Sequence, residues 1–548
     1  MDHSYAVMST DVLVIGGGGA GSRAALEAAK LGSRVILAAK GPIGKSGLTP
    51  TANGGYLTPF LEGDSPEVFF ADQVRLGNGL NDQRLVKVLS EEALPCIKEL
   101  EELGAKVSWQ TSNFEPTLTY PRSVLIPGKV LLQALRKAIV KHPQITLKEN
   151  WLVTRLIKDG GKVRGAIVLD TVQGQFVFVN CGAVVLATGG SGEVYGLTAD
   201  SPMGVPTGSV GEGWWLASEV GCELVDPEMV QFVAIPVGPA IMKGMRHLPW
   251  GPFFNNKGEQ FITPGEGPYS ALAALQIVTE IVEGRGPVYI DLTDKPYANN
   301  ARHPIAAARM NAIHELGMTP HQQRFNIDVG SLFCMGGVRI NEKTETSVAG
   351  LFAAGEVAGN VHGARRVAGN AFPDMIVFGR RAGRFAAEYS NSNPVSLDKE
   401  LASFCKSDAE KMQELFKDKR TNKSTNYVKS EIKRVMDEHA RVLKTEESLN
   451  KAEEKLINIE QDLLPMVSVN GKPGLMNIEL SEAISLNAML KAARMIVATA
   501  RMRKESRGAH YRVDYPDEDK VIQHTRLVWE NNSPIIDMIP VEKIEERS

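Results

Sequence analysis

The residues best placed to do chemistry lie near the start of the chain. Gly16, Gly18 and Gly21 form a G-x-G-x-x-G run, with Gly19 and Ala20 between the last two glycines. An apolar run, Asp11 to Ile15 (DVLVI), precedes it, and helical composition follows from Ala24 to Leu31. Gly16 permits a tight turn, Gly18 lets the backbone approach a pyrophosphate, and Gly21 allows close helix–sheet packing. The helix N-terminus then faces the negative charge. This is the chemistry of dinucleotide binding. The end of the second strand (Ser33 to Ala38) is where an acid usually grips the ribose. Ala39 and Lys40 stand there instead, which weakens a reading as an NAD site.

Two further glycine runs close apolar segments. They are Ala187-Thr188-Gly189-Gly190-Ser191-Gly192 and Ala353-Ala354-Gly355-Glu356. A nicotinamide domain needs only the first run, whereas three runs suit FAD lying extended across one domain. Glu356 is then a candidate to hydrogen-bond a ribose or ribityl hydroxyl. Five cysteines (Cys96, Cys181, Cys222, Cys334 and Cys405) lie far apart with no CxxC pair. The sequence therefore predicts no metal site or iron–sulfur cluster of its own, and a reducing, cytoplasmic setting.

These residues need a scaffold, and the pattern supplies one. Asp11 to Ala38 reads as a βαβ unit of about 30 residues. Residues 66–105 and 128–142 carry helical periodicity, and Gly161 to Leu186 alternates between hairpin-like turns. Residues 236–345 mix strands and helices, and from Leu397 to Lys504 charged residues at helical spacing dominate. At 548 residues, with 43% hydrophobic and 23% charged residues, the chain is long enough for several domains with buried cores. A net charge of −3 argues against a nucleic-acid partner. The N-terminus carries no secretory pattern, and no uninterrupted apolar window predicts direct membrane insertion.

With these motifs the chain resembles the flavoprotein subunits of succinate dehydrogenase and fumarate reductase, a family that includes L-aspartate oxidase. Thr49 to Gly55 resembles the family's segment beside the isoalloxazine. Gly211-Glu212-Gly213 is similar to its Gly-Asp-Gly turn, and Met335-Gly336-Gly337 to its Met-Gly-Gly turn. The most specific matches are Ala353 to Gly379 (AAGEVAGNVHGARRVAGNAFPDMIVFG) and Glu505 to Pro516 (ESRGAHYRVDYP). The resemblance implies an α/β fold: a glutathione-reductase-type, Rossmann-like FAD-binding domain, an inserted α+β capping domain and a C-terminal helical domain. The expected boundaries place the first part of the FAD domain at 1–235, the cap at 236–348, the second FAD part at 349–396, the helical domain at 397–510 and a C-terminal region at 511–548. It also implies FAD contacts at Gly16, Gly18, Gly19, Ala20, Gly21, Ala39, Lys40, Gly47, Leu48, Thr49, Gly54 and Gly55. Further contacts fall at Ala187, Thr188, Gly189, Glu212, Gly355, Glu356, Arg366, Asn370 and Ala371.

The departures from the family are informative. Covalent members attach FAD through a histidine at the position of Leu48, or of Gly47 with a one-residue slip, so FAD is expected to be non-covalent here. The family's dicarboxylate-binding histidine and threonine follow a Gln-Phe pair. Here Gln231-Phe232 leads into Val233, Ala234 and Ile235. A further family histidine corresponds to Leu332, and the proton-shuttling Arg-Asp pair to Ser270 and Ala271. Of the substrate arginines, Arg366 remains. Expected roles are therefore substrate orientation by Arg366 and proton delivery from among Ser270, Tyr269, Tyr120 and Arg122. Cys334 is a candidate to face the flavin. The implied activity is hydride transfer at flavin N5 to or from an activated C=C or C–C substrate other than a simple dicarboxylate, with electrons exchanged through an iron–sulfur partner. Three alternatives remain open: a true fumarate reductase or aspartate oxidase with unusual ligands, a relative of adenylylsulfate reductase (which shares a serine–glycine pair like Ser46-Gly47), and a non-catalytic electron-transfer module.

Overall fold

The structure is a computed structural model that describes residues 5–52, 54–112, 117–199, 208–237, 252–262, 271–291, 324–394, 403–417, 423–474 and 476–544. Strand β1 (Ala6–Ile15) begins with alternating exposure and ends fully buried through Val12, Leu13, Val14 and Ile15. Such an unbroken apolar run is what a strand covered on both faces requires. It pairs in parallel with β2 (Val35–Ala39) on one side and with Gln175–Leu186 on the other. The full sheet runs Ile145–Glu149, β2, β1, Gln175–Leu186, Lys162–Asp170, Trp151–Asp159, and Leu351–Ala353 adds in parallel beside Val184 to Leu186. The strand ends at Ile15, Leu186 and Ala353 are thereby brought together, and each leads into one of the three glycine runs.

Helix α1 (Gly19–Lys30) follows β1 and packs against α2 (Ala371–Ser392). Their backbones come close because α2 carries glycines at the crossing. A Cβ at Gly379 would lie 2.6 Å from the Ala20 carbonyl oxygen, and one at Gly383 would lie 2.2 Å from that of Ala24.

A four-stranded antiparallel sheet joins the cap to Val230–Pro236, nearly all of which the expected boundaries placed in the first FAD part. Strand β3 (Val230–Pro236) pairs with β4 (Arg324–Cys334), which continues to Val288–Asp291 and Phe253–Phe254. The register places Gln231 opposite Phe333, with a bulge between Gln231 and Phe232. The start of β3 is fixed by a buried charge cluster. Arg503, fully buried, donates to Asp226 at 2.8 Å, to Glu228 at 2.6 Å and to Glu505 at 2.8 Å. Asp226 also faces His524 at 2.5 Å. Burial works to raise its carboxyl, but His524 and Arg503 together outweigh burial and hold it below the usual carboxylate range. Strand Gln523–Glu530 thus ties the C-terminal segment to Leu224–Val225 and to the entry of β3.

The stretch read as helical contains Phe404–Glu414, Thr425–His439, Glu446–Asn458 and α3 (Ile478–Met502). Helix α3 is long and apolar enough to span a membrane by length and composition, with a mean hydropathy of 1.2 over its best window. Yet 78% of that window is buried inside the protein, as in a core helix.

Candidate active site

A cavity of about 610 Å³ runs along the ends of the central strands. That volume is typical of a cofactor site. Its floor is the first glycine run, and the geometry shows why glycine is needed there. Gly16 has φ +115°, and a Cβ on it would sit 2.1 Å from the Ala187 carbonyl oxygen. Ile15 to Ala20 line the cavity, so the N-terminus of α1 opens directly into it. Gly21 does not line it. A Cβ at Gly21 would strike the Gly16 carbonyl oxygen at 1.9 Å, so this glycine serves the packing of helix on turn.

At one end Lys40 and Glu212, far apart in sequence, form an ion pair at 2.6 Å. Lys40 Nζ also donates to the Gly208 carbonyl at 2.6 Å, and Ser485 Oγ of α3 donates to Glu212 at 2.8 Å. Ala39 and Gly41 flank Lys40 in the wall, and Trp151, Leu152 and Val153 face it. Ile478, Ser481, Glu482, Ser485, Leu486 and Met489 complete this wall from α3, together with Lys429. The sequence reading missed this contribution. The available signal was the pair Ser481 and Ser485, one helical turn apart on a helix that is otherwise largely apolar.

The other end gathers Gly47, Leu48, Thr49, Gly54, Gly55, Gly355, Glu356, Arg366 and Ala371, with Ala187, Thr188 and Gly189 between the two ends. Thr49 Oγ1 accepts the Gly19 N–H at 3.3 Å, which anchors this segment to the start of α1. Glu356 Oε1 accepts the Cys334 N–H at 3.0 Å. Desolvation, helped by the nearby Asp374 charge, pushes the Glu356 carboxyl up to about 7, although the Cys334 N–H and Arg366 oppose the rise. Arg366 is buried, with its guanidinium 4.6 Å from the centre of the Phe333 ring and Nη1 donating to the Val367 carbonyl at 3.3 Å. The Gln231 side chain donates to the Arg366 carbonyl at 3.4 Å. Among the described residues the wall beside Arg366 is apolar. Leu332, Phe333 and Ala199 line it, and Val233 and Ile235 pack behind with Ala199 and Leu332. Among the described lining residues the cations are Lys40, Arg366 and Lys429. Lys40 pairs with Glu212, and Lys429 lies 3.8 Å from Glu482.

Several sequence-derived candidates fall elsewhere. Asn370 lies behind the wall and donates from its side chain to Gln73 at 2.7 Å. Arg122 is fully buried between Asp64 at 3.0 Å and Asp72 at 3.1 Å, and neither it nor Tyr120 lines the cavity. Held between two carboxylates, Arg122 is engaged in the fold rather than presented to a substrate. The Cys334 thiol contacts Ser191 Oγ at 3.3 Å and is not part of the lining. Tyr269 and Ser270 lie outside the described residues. Among the described residues no group of three or more His, Cys, Asp or Glu could hold a metal ion.

The cavity suits an extended dinucleotide with a flavin. It joins a glycine cradle at a helix N-terminus to a buried Thr188 Oγ1 that has no hydrogen-bond partner within the described residues, and to the Glu356 carboxyl. Residues 11–372 match the family profile described as FAD binding domain, and residues 429–546 match the one described as fumarate reductase flavoprotein C-term. The molecule is an FAD-dependent oxidoreductase. More particularly, the chain belongs to the family of fumarate reductase and succinate dehydrogenase flavoprotein subunits. It is 32% identical over 549 residues to a fumarate reductase (CoM/CoB) chain of Methanothermobacter marburgensis, covering 95% of this chain and 96% of that one. It is equally 32% identical to an uncharacterized FAD-dependent oxidoreductase of Methanocaldococcus jannaschii, with 96% of each chain covered. Among solved structures, Mycobacterium smegmatis Sdh1 in complex with UQ1 superposes with a TM-score of 0.88 at 28% identity, over 99% of this chain and 96% of that chain. Adenylylsulfate reductase from Archaeoglobus fulgidus shares the fold, with a TM-score of 0.79 at 19% identity, over 100% of this chain and 98% of that one.

Proposed function

We propose that the chain is the catalytic flavoprotein of a reductase acting on an activated alkene with one carboxylate or carbonyl anchor, and that it holds FAD without a covalent bond. The observation that carries this reading is Arg366 set against the apolar wall of Leu332, Phe333 and Ala199. A guanidinium takes one carboxylate by a bidentate contact. A second carboxylate pressed against that wall would lose its hydration with no donor among these described residues to replace it, at a cost of several kcal/mol. Bound FAD supplies hydride exchange with a substrate carbon. Arg366 orients the anionic end, the apolar wall keeps water from the reacting carbons, and Glu356 holds a proton at its carboxyl near neutral pH. Leu48 in the wall offers no nucleophile for flavin attachment. The Glu505 to His510 segment (ESRGAH), similar to the family's C-terminal signature, supports electron exchange with an iron–sulfur partner.

A second reading, a fumarate reductase that binds its dicarboxylate through other ligands, is favoured by the 32% identity to the chain named fumarate reductase (CoM/CoB). Assay of the purified flavoprotein with reduced viologen dye and a panel of alkenes separates the two. Crotonate or a thioester alkene should outrun fumarate by about 10-fold or more, the scale of losing a charged contact. Efficient fumarate reduction would establish the second reading instead, and inactivity on every alkene would point to an electron-transfer module.

A further inference from the structure

Two strands of the cap meet at Arg366. Its carbonyl is held by Gln231 of β3, and its guanidinium lies 4.6 Å over the ring of Phe333 on β4. Gln231 and Phe333 are register partners across those two strands. A single rung of the cap sheet therefore grips both ends of the arginine. Phe333 is itself held from another side: the His362 ring packs edge-on against it with centroids 5.3 Å apart, and His362 Nε2 lies 3.5 Å from Asp374 Oδ2 at the start of α2. Phe333 lines the cavity while Met229, Met335 and Ala364 pack with it in a small separate core, so its ring has little freedom to turn.

We propose that Phe333 is the positioning residue for substrate recognition: its ring face fixes the plane of the Arg366 guanidinium so that one edge is presented to a planar monocarboxylate. The proposal rests on the single-carboxylate reading above and adds how that selectivity is built. A ring face attracts the cation through its quadrupole and orients it without consuming an N–H donor, since those donors lie in the guanidinium plane. It also extends the apolar wall up to the anchor point, which disfavours a second anionic group. The geometry favours a flat conjugated acid of the 2-enoate class, because its carboxylate lies coplanar with its double bond and a fixed guanidinium plane then fixes the alkene plane as well.

The test is a double-mutant cycle on the FAD-loaded protein, read by calorimetric titration with crotonate and by KM and kcat in the viologen assay. Phe333→Leu should weaken crotonate binding and raise KM by roughly tenfold, within the range of a desolvated cation–π contact. FAD content should be unchanged, and Phe333→Tyr should restore binding. In an Arg366→Lys background, Phe333→Leu should have little further effect, because the ring acts through the guanidinium. Crotonate binding that Phe333→Leu leaves unchanged would overturn the proposal alone. So would an equal loss in Phe333→Tyr, an undiminished effect in the Arg366→Lys background, or loss of FAD together with binding. Absence of crotonate binding to the wild-type protein would instead overturn the single-carboxylate reading, and the proposal with it.

Discussion

Arg366 and Glu356 sit at the same end of the cavity, yet their surroundings give them opposite tasks. Arg366 keeps its charge against an apolar wall, and its removal should cost orientation as well as attraction. Arg366→Ala should retain FAD and lower turnover at least ~100-fold, as loss of a charge-assisted bidentate contact implies. Turnover equal to wild type would assign the anchoring to another group, and loss of FAD would make the arginine a support of the fold. Glu356 is a carboxyl that burial has pushed up to about 7. Between the ordinary carboxylate range and that value, the folded chain keeps a proton that the unfolded chain has released. Stability contributed at this site therefore falls as pH rises through the window. Glu356→Gln cannot titrate. Thermal unfolding from about pH 5 to about pH 8 should show a shallower loss of stability in the variant than in the wild type. Parallel curves would mean that the carboxyl is already ionised at the lower pH.

At the scale of elements, the cavity depends on how closely α1 approaches the turn that precedes it. Gly21 illustrates the tolerance: the Gly16 carbonyl oxygen already occupies the space a methyl group would need. Gly21→Ala should destabilise the chain by about 1–3 kcal/mol, the usual cost of overpacking, and should lower the FAD retained after purification. Normal FAD occupancy and unchanged unfolding would show that α1 can shift without disturbing the cradle. The buried Arg503 cluster plays a comparable part on the cap side, holding Asp226 and Glu228 at the entry to β3. Gln231 and the strand that faces Phe333 thus take their place from a residue that follows α3, far later in the chain.

For the whole molecule, the cavity is a joint product of the FAD-binding region and the helical stretch, with the cap strands closing one end. Helix α3 reaches the Lys40–Glu212 pair through Ser485, so the cavity wall draws on the helical region as well as on the central sheet. We propose a similar division of the chemistry, with the cluster chemistry supplied by a partner. A cofactor inventory of the purified chain tests this division. Acid precipitation should release all flavin into the supernatant, and metal analysis should find no stoichiometric iron. Flavin fluorescence left on the denatured polypeptide would show a covalent link that Leu48 cannot make. Iron in proportion to chain would place a cluster on this flavoprotein.

Much of the site was legible in the sequence, because backbone chemistry depends on local residue types. A glycine run between an apolar strand and a helix has few other uses, and Gly16, Gly189 and Gly355 all reach the cavity wall as their motifs imply. The family resemblance set Val233, Ile235 and Leu332 at positions where the family holds polar substrate ligands, and these three pack together. Side-chain partnerships were not legible in this way. Arg122 reads in sequence as a candidate for proton delivery, but Asp64 and Asp72 enclose it. Asn370 reads as a cofactor ligand, but Gln73 engages it. Phe333 acquires meaning only when β3 and β4 pair and bring Gln231 opposite it, beneath Arg366. The physical reason is range. A turn or a buried strand is decided by a few adjacent residues, whereas an ion pair or a ring–cation contact is decided by which distant segments share one small volume, and tertiary packing alone sets that.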